Sequence, residues 1–335
     1  MDHRDRVQCC PAPPAVEHRG PRILDCSIRD GGICNDWRFD RAWVRRTFDA
    51  LVASGIHTME IGYRTREGVV ARDTVGEWRF LDEDALADVT RSGKGRMRLA
   101  AMVDCGKADP SDIRPRGETV LDTLRIAAYA HQLDEARPLL DRALELGYET
   151  HMNVMAVSTR TPAQLDAAMA WLRVSGVHCV SIVDSYGALL PRHVPQLVRR
   201  YREGLGDGVA IGIHTHNNQQ LAFANTLAAL DAGVDVVDAT VHGIGRGAGN
   251  CPLELLLLRL DDPGLDVRPI LELVDEYATL RDTLRFGYHL PYAITGHFNV
   301  HPRSGIARMT RPDRYDCRGM YETLAARGPE GDEPG

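Results

Sequence analysis

The sequence predicts an α/β protein built as one closed (β/α)8 TIM barrel with a short C-terminal appendage of helices and loops. Eight short segments rich in Val, Ile, Leu and Met recur along the chain, and several are apolar without alternation, as parallel strands buried on both faces are. Amphipathic segments of helical length lie between them. A doubly wound sheet is the second choice, but no G-x-G-x-x-G sequence follows the first predicted strand.

The individual elements follow from this rhythm. The predicted strands are residues 23–27, 57–61, 98–103, 123–127, 148–155, 179–183, 209–214 and 236–241. The predicted helices are residues 41–54, 82–91, 133–146, 162–175, 191–203, 221–232 and 252–260. Prolines at 162, 191 and 252 fit first helical turns, and glycines at 55, 147, 176 and 233 fit helix ends. The link at residues 107–120 has the weakest pattern.

The chain has 335 residues, more than one such barrel of about 240 residues uses. We expect the barrel at residues 22–264. Residues 265–318, which include helical patterns and several aromatic residues and histidines, form an appended segment that contributes to the barrel mouth. Residues 1–21 and 319–335 are polar and contain Pro or Gly, so we expect both to be disordered.

Composition excludes several classes of protein. Hydrophobic residues make up 44% and charged residues 26%, which is typical of a globular protein, and the net charge of −7 argues against a nucleic-acid partner. No apolar run approaches the roughly 20 residues that span a bilayer, and the first residues contain no secretory signal pattern. Eight scattered cysteines favour reduced thiols. We therefore expect a cytoplasmic enzyme or binding protein.

A cation and a carboxylate follow the first predicted strand. The sequence from Asp25 to Gly32 contains Arg29 and Asp30 followed by two glycines. Loops at the C-terminal ends of barrel strands build the reaction sites of this fold. The pattern can place both charges at the barrel mouth, although an Asp that caps a turn beside a surface Arg explains it equally well.

Two histidines favour the first interpretation, a charged site at the barrel mouth. His214 and His216 end the seventh predicted strand and point to the same side of an extended backbone. Only strand eight separates strands one and seven in a closed barrel, so Asp30 can approach both imidazoles. This ligand set suits Mn²⁺, Fe²⁺, Co²⁺ or Zn²⁺, and Mg²⁺ if waters complete an octahedron. The glycine-rich segment after strand eight ends at Asn250, which can add an oxygen to the same metal.

The motifs DCSIRDGG, GIHTHNN and GIGRGAGN, in this order, resemble the DRE-TIM metallolyase superfamily. This HMGL-like group includes hydroxymethylglutaryl-CoA lyase, 4-hydroxy-2-oxovalerate aldolase, isopropylmalate synthase and homocitrate synthase. The resemblance covers residues 23–260, and DGGICNDWRFD, MEIGYR and IVDSYG look most like aldolase-type catalytic domains. It implies that Asp30, His214 and His216 bind a divalent metal, that Arg29 faces the substrate and that Asn250 matches a fourth-ligand position.

Two departures accompany the resemblance. Hydroxy-oxovalerate aldolases carry a catalytic His three residues after the metal-binding Asp, and this chain has Ile33 there. The synthases typically have Glu-Arg-Ala-Gly-Asn in the glycine loop, whereas this chain has Arg246-Gly-Ala-Gly-Asn250. The first departure removes the aldolase base and the second argues against acyl-CoA condensation.

Other candidate residues lie at predicted strand ends or in the appended segment. Candidate substrate contacts are Glu60, Arg64, Asn153, Asp184, Ser185 and Arg246. Glu60 can orient Arg29, but an ion pair between Glu60 and Arg64 is an equally good interpretation. For the general base, His301, Tyr292, His297 and a metal-bound water stay open, and a surface loop with locally bonded histidines is the alternative.

The sequence thus predicts a divalent-metal-dependent carbon–carbon lyase of the aldolase class. It acts through the enolate of a pyruvate-like α-keto acid, with an aldehyde as second substrate, and Mn²⁺ is preferred over Mg²⁺, Co²⁺ or Zn²⁺. One alternative is an acyl-CoA-dependent Claisen synthase of the isopropylmalate or homocitrate type. The other is a non-catalytic metal-binding barrel or partner subunit. Related aldolases work beside a dehydrogenase, and such a partner and a homo-oligomer stay open.

Overall fold

Eight parallel strands close into a barrel, in sequence order, in the computed structural model, which describes residues 20–327. The strands are β1 (Arg22–Asp25), β2 (Thr58–Tyr63), β3 (Arg98–Asp104), β4 (Thr123–Tyr129), β5 (Glu149–Met155), β6 (Cys179–Asp184), β7 (Ala210–Thr215) and β8 (Val236–Ala239). Arg22 lies opposite Val236 where β1 pairs with β8, which closes the barrel. The predicted TIM barrel is confirmed.

Helices surround the strands much as the sequence predicts. They are α1 (Ser27–Gly31), α2 (Arg41–Ala53), α3 (Glu83–Val89), α4 (Leu133–Glu145), α5 (Pro162–Arg173), α6 (Val194–Leu205), α7 (Ala222–Asp231) and α8 (Leu253–Arg259). Side chains cap the N-termini of two of these helices: Asp40 caps α2, and Thr161 forms a capping box at α5. Between β3 and β4 the chain forms two short 3₁₀ turns, at Pro110–Asp112 and Arg116–Glu118.

The two faces of the strands differ in chemistry. Outward residues such as Ile61 and Ile213 are fully buried in the apolar layer between the strands and the helices. Inward positions usually carry branched apolar residues in this fold. Here they include Glu60, Arg125 and Asp238, which are also buried. The barrel interior is therefore charged at the level of the candidate site.

Four further helices follow the barrel: α9 (Arg268–Leu284), α10 (Leu290–His297), α11 (Arg303–Met309) and α12 (Cys317–Arg327). α9 packs on α2, where the rings of Tyr277 and Trp43 are 4.5 Å apart. None of the helices in residues 20–327 is long and apolar enough to cross a membrane.

The prediction of a disordered tail from residue 319 is wrong for residues 319–327. They belong to α12, whose Met320 and Leu324 are buried against Ile294 and Val300. Two apolar side chains one turn apart were too weak a signal among polar neighbours. Residues 1–19 and 328–335 of the predicted disordered ends lie outside the described residues, and the domain boundaries stay predictions.

Candidate active site

Arg29 and Asp30 lie on α1, a single helical turn directly after β1, where the sequence predicted a loop. Asp25 accepts hydrogen bonds from the backbone N–H and the hydroxyl of Ser27, at 3.1 and 2.6 Å, and so holds the start of this turn. Trp37 Nε1 donates to the Arg29 carbonyl at 2.9 Å. These contacts fix the carboxylate of Asp30 at the C-terminal end of the barrel.

Asp30, His214 and His216 form a compact buried group. Asp30 Oδ2 is 3.5 Å from His214 Nε2 and 3.8 Å from His216 Nε2. The exposed fraction of each of the three residues is 6% or less. The ligand atoms lie within 4.8 Å of one another, so the sequence-based expectation that these residues come together is met.

Hydrogen bonds on the far side of each imidazole fix its tautomer. His214 Nδ1 is 3.0 Å from Asp238 Oδ2, and His216 Nδ1 is 2.9 Å from the Asp184 carbonyl. Because a carboxylate and a carbonyl only accept, both Nδ1 atoms carry a proton and both Nε2 atoms face Asp30. Metal-binding histidines typically have such outer partners. These residues therefore fit a divalent cation.

Asn250 joins the group through its amide. Its Nδ2 donates to Asp30 Oδ2 at 2.5 Å and to the Ile244 carbonyl at 3.0 Å. Its Oδ1 and His214 Nε2 are buried, and neither has a hydrogen-bond partner among the described residues. Buried polar atoms in that condition are unusual, and both stand beside Asp30. Asn250 positions Asp30, and its role as a fourth ligand stays a prediction.

The charges around the group set its protonation. Burial alone would raise the pKa of Asp30, but Arg29 and the two histidines hold it well below its usual value. Burial lowers the pKa of His216 well below its usual value, assisted by the charge of Arg246. Asp30 is therefore a carboxylate and His216 a neutral imidazole, the forms that bind metal ions.

Two ionic residues behind the group were missed by sequence reasoning. Arg125, fully buried on β4, donates to Glu60 Oε2 at 3.0 Å and to Asp238 Oδ2 at 2.6 Å. Arg29 Nε donates to the same Glu60 oxygen at 2.7 Å. The sequence did contain a signal for them. Arg125 and Asp238 are charged residues within otherwise apolar strands, a pattern that indicates side chains in the barrel interior.

These contacts close into a ring of alternating charges. Its members, in order, are Arg29, Glu60, Arg125, Asp238, His214 and Asp30, where Arg29 Nη1 is 3.3 Å from Asp30 Oδ1. We call this set the charge ring. The other members of the charge ring contact Arg29 and Asp30 from inside the barrel. The opposite sides of these two side chains face the barrel mouth.

Arg246 and His301 border the mouth. Arg246 Nη2 donates to the Ser185 carbonyl at 2.7 Å. His301 Nδ1 accepts the backbone N–H of Arg303 at 3.0 Å, and its ring lies 5.6 Å from that of Tyr186. Burial, with the charges of Arg246 and Arg303, lowers the pKa of His301 to about 4. His301 is therefore neutral at pH 7.

Tyr292 and Cys34 supply neutral proton-bearing groups on the same side. Tyr292 is buried beside Ala248 and Met309, and burial raises its pKa to about 12. Cys34 donates its thiol proton to the Gly245 carbonyl at 3.0 Å. Burial and the charge of Asp30 raise the pKa of this thiol to about 12.

Several predicted substrate contacts point elsewhere. Arg64 pairs with Glu83 on α3, outside the barrel, because Tyr63 takes the inward position after a register shift in β2. The carboxylate of Asp184 accepts the backbone N–H groups of Ala188 and Leu189. These internal partners disfavour Arg64 and Asp184 as substrate contacts, and that role stays a prediction for both.

Other predicted residues have mixed positions. Ser185 Oγ accepts the Ala156 N–H at 2.8 Å, so its side chain ties two loops together. His297 is exposed and lies 4.9 Å from the ring of Phe298, which makes it a poor candidate base. Asn153 does face the interior, and its Oδ1 is buried.

A surface groove of about 820 Å³ between α5 and α6 includes none of the predicted site residues.

We predict that Gly249→Ala weakens metal binding. Gly249 has a φ of +78°, and a Cβ there would stand 2.0 Å from the Gly243 carbonyl oxygen. Strain of this kind costs about 1–3 kcal/mol and would move the neighbouring Asn250 away from Asp30. Calorimetric titration with Mn²⁺ should show at least about tenfold weaker binding. Gly208→Ala is the matched control, since its Cβ would meet no atom within 4 Å. Equal affinity in both variants would contradict the prediction.

Two known proteins are similar to this chain in sequence. The 4-hydroxy-2-oxovalerate aldolase of Roseiflexus castenholzii is 32% identical over 282 residues, 80% of this chain and 82% of that protein. The oxaloacetate decarboxylase of Mycobacterium tuberculosis is 36% identical over 249 residues, 74% and 72% of the two chains.

A solved structure agrees in fold. The N-terminal domain of a provisionally assigned aldolase from Bacteroides vulgatus superposes with a TM-score of 0.78 at 27% identity, and the match covers 89% of this chain and 99% of that one. The family model described as HMGL-like matches residues 20–281. These residues include α1, both histidines and Asn250. The chain belongs to the HMGL-like family.

Proposed function

We propose that the protein is a divalent-metal-dependent carbon–carbon lyase that acts on a pyruvate-like α-keto acid. The observation that carries this proposal is the pair of imidazole Nε2 atoms that face the buried Asp30 carboxylate, with Arg29 alongside. Aldolase and decarboxylase relatives support the same class of reaction. We also propose a cytoplasmic location, which the scattered cysteines support.

We propose Asp30, His214, His216 and Asn250 as the residues that hold the ion. Mixed carboxylate, imidazole and amide ligands suit Mn²⁺, our first choice, as well as Co²⁺ or Zn²⁺, and Mg²⁺ stays open. The ion would supply Lewis-acid polarisation of a carbonyl group, which is worth several kcal/mol in such reactions.

The chain's own residues supply charge and protons. Arg29, fixed by Glu60 and next to Asp30, offers a preorganised cation to the negative charge that develops on an enolate oxygen. Tyr292 holds its proton because its pKa is raised to about 12, so it can donate that proton to the enolate carbon. Arg246 offers a second cation for an anionic substrate.

Decarboxylation of a β-keto acid is the second candidate, and the position of Ile33 favours it. Aldol cleavage needs a base that removes a hydroxyl proton, whereas loss of CO₂ needs none. His301, with a pKa of about 4, is only a weak base. Arg246 could bind the additional carboxylate of such a substrate. This reading agrees with the decarboxylase relative.

Exchange of pyruvate methyl protons in deuterated water tests the shared enolate step. We expect exchange that depends on added Mn²⁺, followed by NMR. Release of an aldehyde from a 4-hydroxy-2-keto acid identifies the aldolase, release of CO₂ from oxaloacetate identifies the decarboxylase, and thiol release from acetyl-CoA identifies a synthase. A protein that binds metal but supports none of these reactions would refute the proposal and leave the non-catalytic alternative.

The low pKa of His301 predicts a stability difference at acid pH. The ordinary pKa is 6.5 and the folded-state pKa is about 4. Between these values the unfolded chain binds a proton that the folded chain does not, so the free energy of unfolding falls as pH falls. Above pH 6.5 both states are neutral and His301 contributes no slope.

His301→Gln should therefore reduce the slope of stability against pH by at most about 1.4 kcal/mol per pH unit, and only within that window. Urea unfolding at several pH values measures it. Exposed His297→Gln is the control, for which the wild-type slope is expected to persist. A His301 variant with the wild-type slope would contradict the lowered pKa of this partly buried imidazole.

A further inference from the structure

We infer that a buried water site lies on the barrel axis beneath the candidate metal group, and that it carries protons between this group and the N-terminal end of the barrel. Its proton role rests on the proposed function, whereas the water site itself does not. The inference starts from polar atoms on the inner faces of β2, β4, β5, β6 and β8.

Six inward-facing atoms on these strands are buried and lack a hydrogen-bond partner within residues 20–327. They are Glu60 Oε1, Arg125 Nε, His151 Nδ1, Asn153 Oδ1, Ser181 Oγ and Asp238 Oδ1. Native proteins rarely leave buried polar atoms in this condition, and ordered water usually satisfies them. Their concentration within one barrel interior therefore indicates one shared site.

Strand pairing brings these atoms together. Arg125 lies opposite His151 in the register of β4 and β5, and Asn153 lies opposite Ser181 in that of β5 and β6. Arg125 in turn bridges Glu60 and Asp238. The neighbouring inward residues Ala100, Ala127 and Gly212 are small, which leaves room along the axis.

The atoms cannot satisfy one another. Arg125 Nε only donates, and the Ser181 hydroxyl can donate once, whereas the other four atoms accept. Asp238, whose Oδ2 already accepts from Arg125 at 2.6 Å, is one of these acceptors. Water brings two O–H groups and two lone pairs to each position. An N–H of Arg125 and the lone pair of His151 are the two ends that one water can bridge.

His151 connects this site to the far end of the barrel. Its Nε2 lies 3.2 Å from Glu149 Oε1, which places the proton on Nε2 and the lone pair on Nδ1. Burial and the charges of Arg125 and Arg22 lower its pKa despite the opposing charge of Glu149, so it is neutral at pH 7. Glu149 binds Arg22 and Arg98, each at 2.8 Å.

A proton can therefore cross the imidazole. The water takes up a proton from the candidate metal group as its own O–H proton moves to His151 Nδ1, while the proton on Nε2 passes to Glu149 and from there to solvent. The side chains of Arg22 and Arg98 are 29% and 31% exposed, so this end reaches bulk water. The reverse sequence brings a proton inward, and no electron changes hands.

The test combines a crystal structure with exchange kinetics on the full-length, Mn²⁺-loaded protein. We expect ordered water between Arg125 Nε and His151 Nδ1. His151→Gln, which keeps a donor for Glu149 but cannot relay a proton, should slow pyruvate methyl exchange by about tenfold or more. Its metal content and KM for pyruvate should stay unchanged, and its solvent isotope effect should rise. His151→Phe serves if the Gln variant is unstable.

Met152→Leu is the matched control, because Met152 is the next residue of β5 and faces the helices. A purely structural role for His151 would lower thermal stability and metal content together without a change in the isotope effect, and would overturn the proton path. Absence of ordered water at that position would also overturn it. If the wild-type protein exchanges no pyruvate protons, the proposed function fails, and the crystallographic waters alone support or overturn the site.

Discussion

Asp30→Asn should abolish metal binding and reduce the rate of pyruvate methyl exchange by about a thousandfold, equivalent to about 4 kcal/mol. Asp30 is the only anion of the three-residue group, and its Oδ2 faces both Nε2 atoms. Asparagine keeps the shape but loses the charge. It also leaves Arg29 without the carboxylate that balances it, which disfavours a divalent cation further.

Metal content measured after dialysis, together with the exchange rate, checks this expectation. Asp261→Asn is the control, because Asp261 is exposed and lies beyond α8. It should keep wild-type metal content and rate. Retention of one metal ion per chain in Asp30→Asn would show that the ion binds elsewhere, and loss of metal with full activity would contradict the proposed role of the ion.

The sequence was sufficient for the barrel and for the central residues of the site. Parallel strands buried on both faces appear in the sequence as short apolar runs separated by polar loops. All eight strands could therefore be predicted. Alternation along β7 put His214 and His216 on one side, and barrel closure put β1 near them. These inferences depend only on local periodicity and on topology.

The rest depended on geometry that periodicity does not encode. The register shift in β2 turns Tyr63, the last residue of the strand, inward and Arg64, the residue after it, outward. Asp184 caps a loop because the backbone N–H groups of Ala188 and Leu189 turn back on its carboxylate. For Arg64 and Asp184, the prediction of a position at a strand end was correct. The contacts of each side chain depend on the direction in which it points, which the sequence pattern does not give.

Metal binding and barrel stability share the charge ring. His214 is oriented by Asp238, Asp238 is held by Arg125, and Arg125 also holds the glutamate that fixes Arg29. An outer partner of a metal-binding histidine is typically worth a factor of about 10–100 in affinity. Arg125 makes no contact with Asp30 or with the barrel mouth. Through Glu60 and Asp238, however, it should affect the positions of Arg29 and His214.

Arg125→Met should therefore reduce the free energy of unfolding by about 3–5 kcal/mol, because it leaves Glu60 and Asp238 buried without their shared cation. Metal affinity should fall by about tenfold or more as Asp238 loses its position. Urea unfolding and Mn²⁺ titration measure the two effects. Arg142→Met removes an exposed ion pair with Glu145 and should cost less than about 1 kcal/mol.

A triple variant separates charge from packing. Adding Glu60→Gln and Asp238→Asn to Arg125→Met removes the stranded charges, and we expect it to recover much of the lost stability. It should not recover metal affinity, because an amide supports the His214 proton less strongly than a carboxylate. If Arg125→Met alone were as stable as the wild-type protein, the charge ring would not be the buried, dry structure that the distances describe. If the triple variant stayed as unstable as the single one, lost packing of the arginine stem would explain the cost instead.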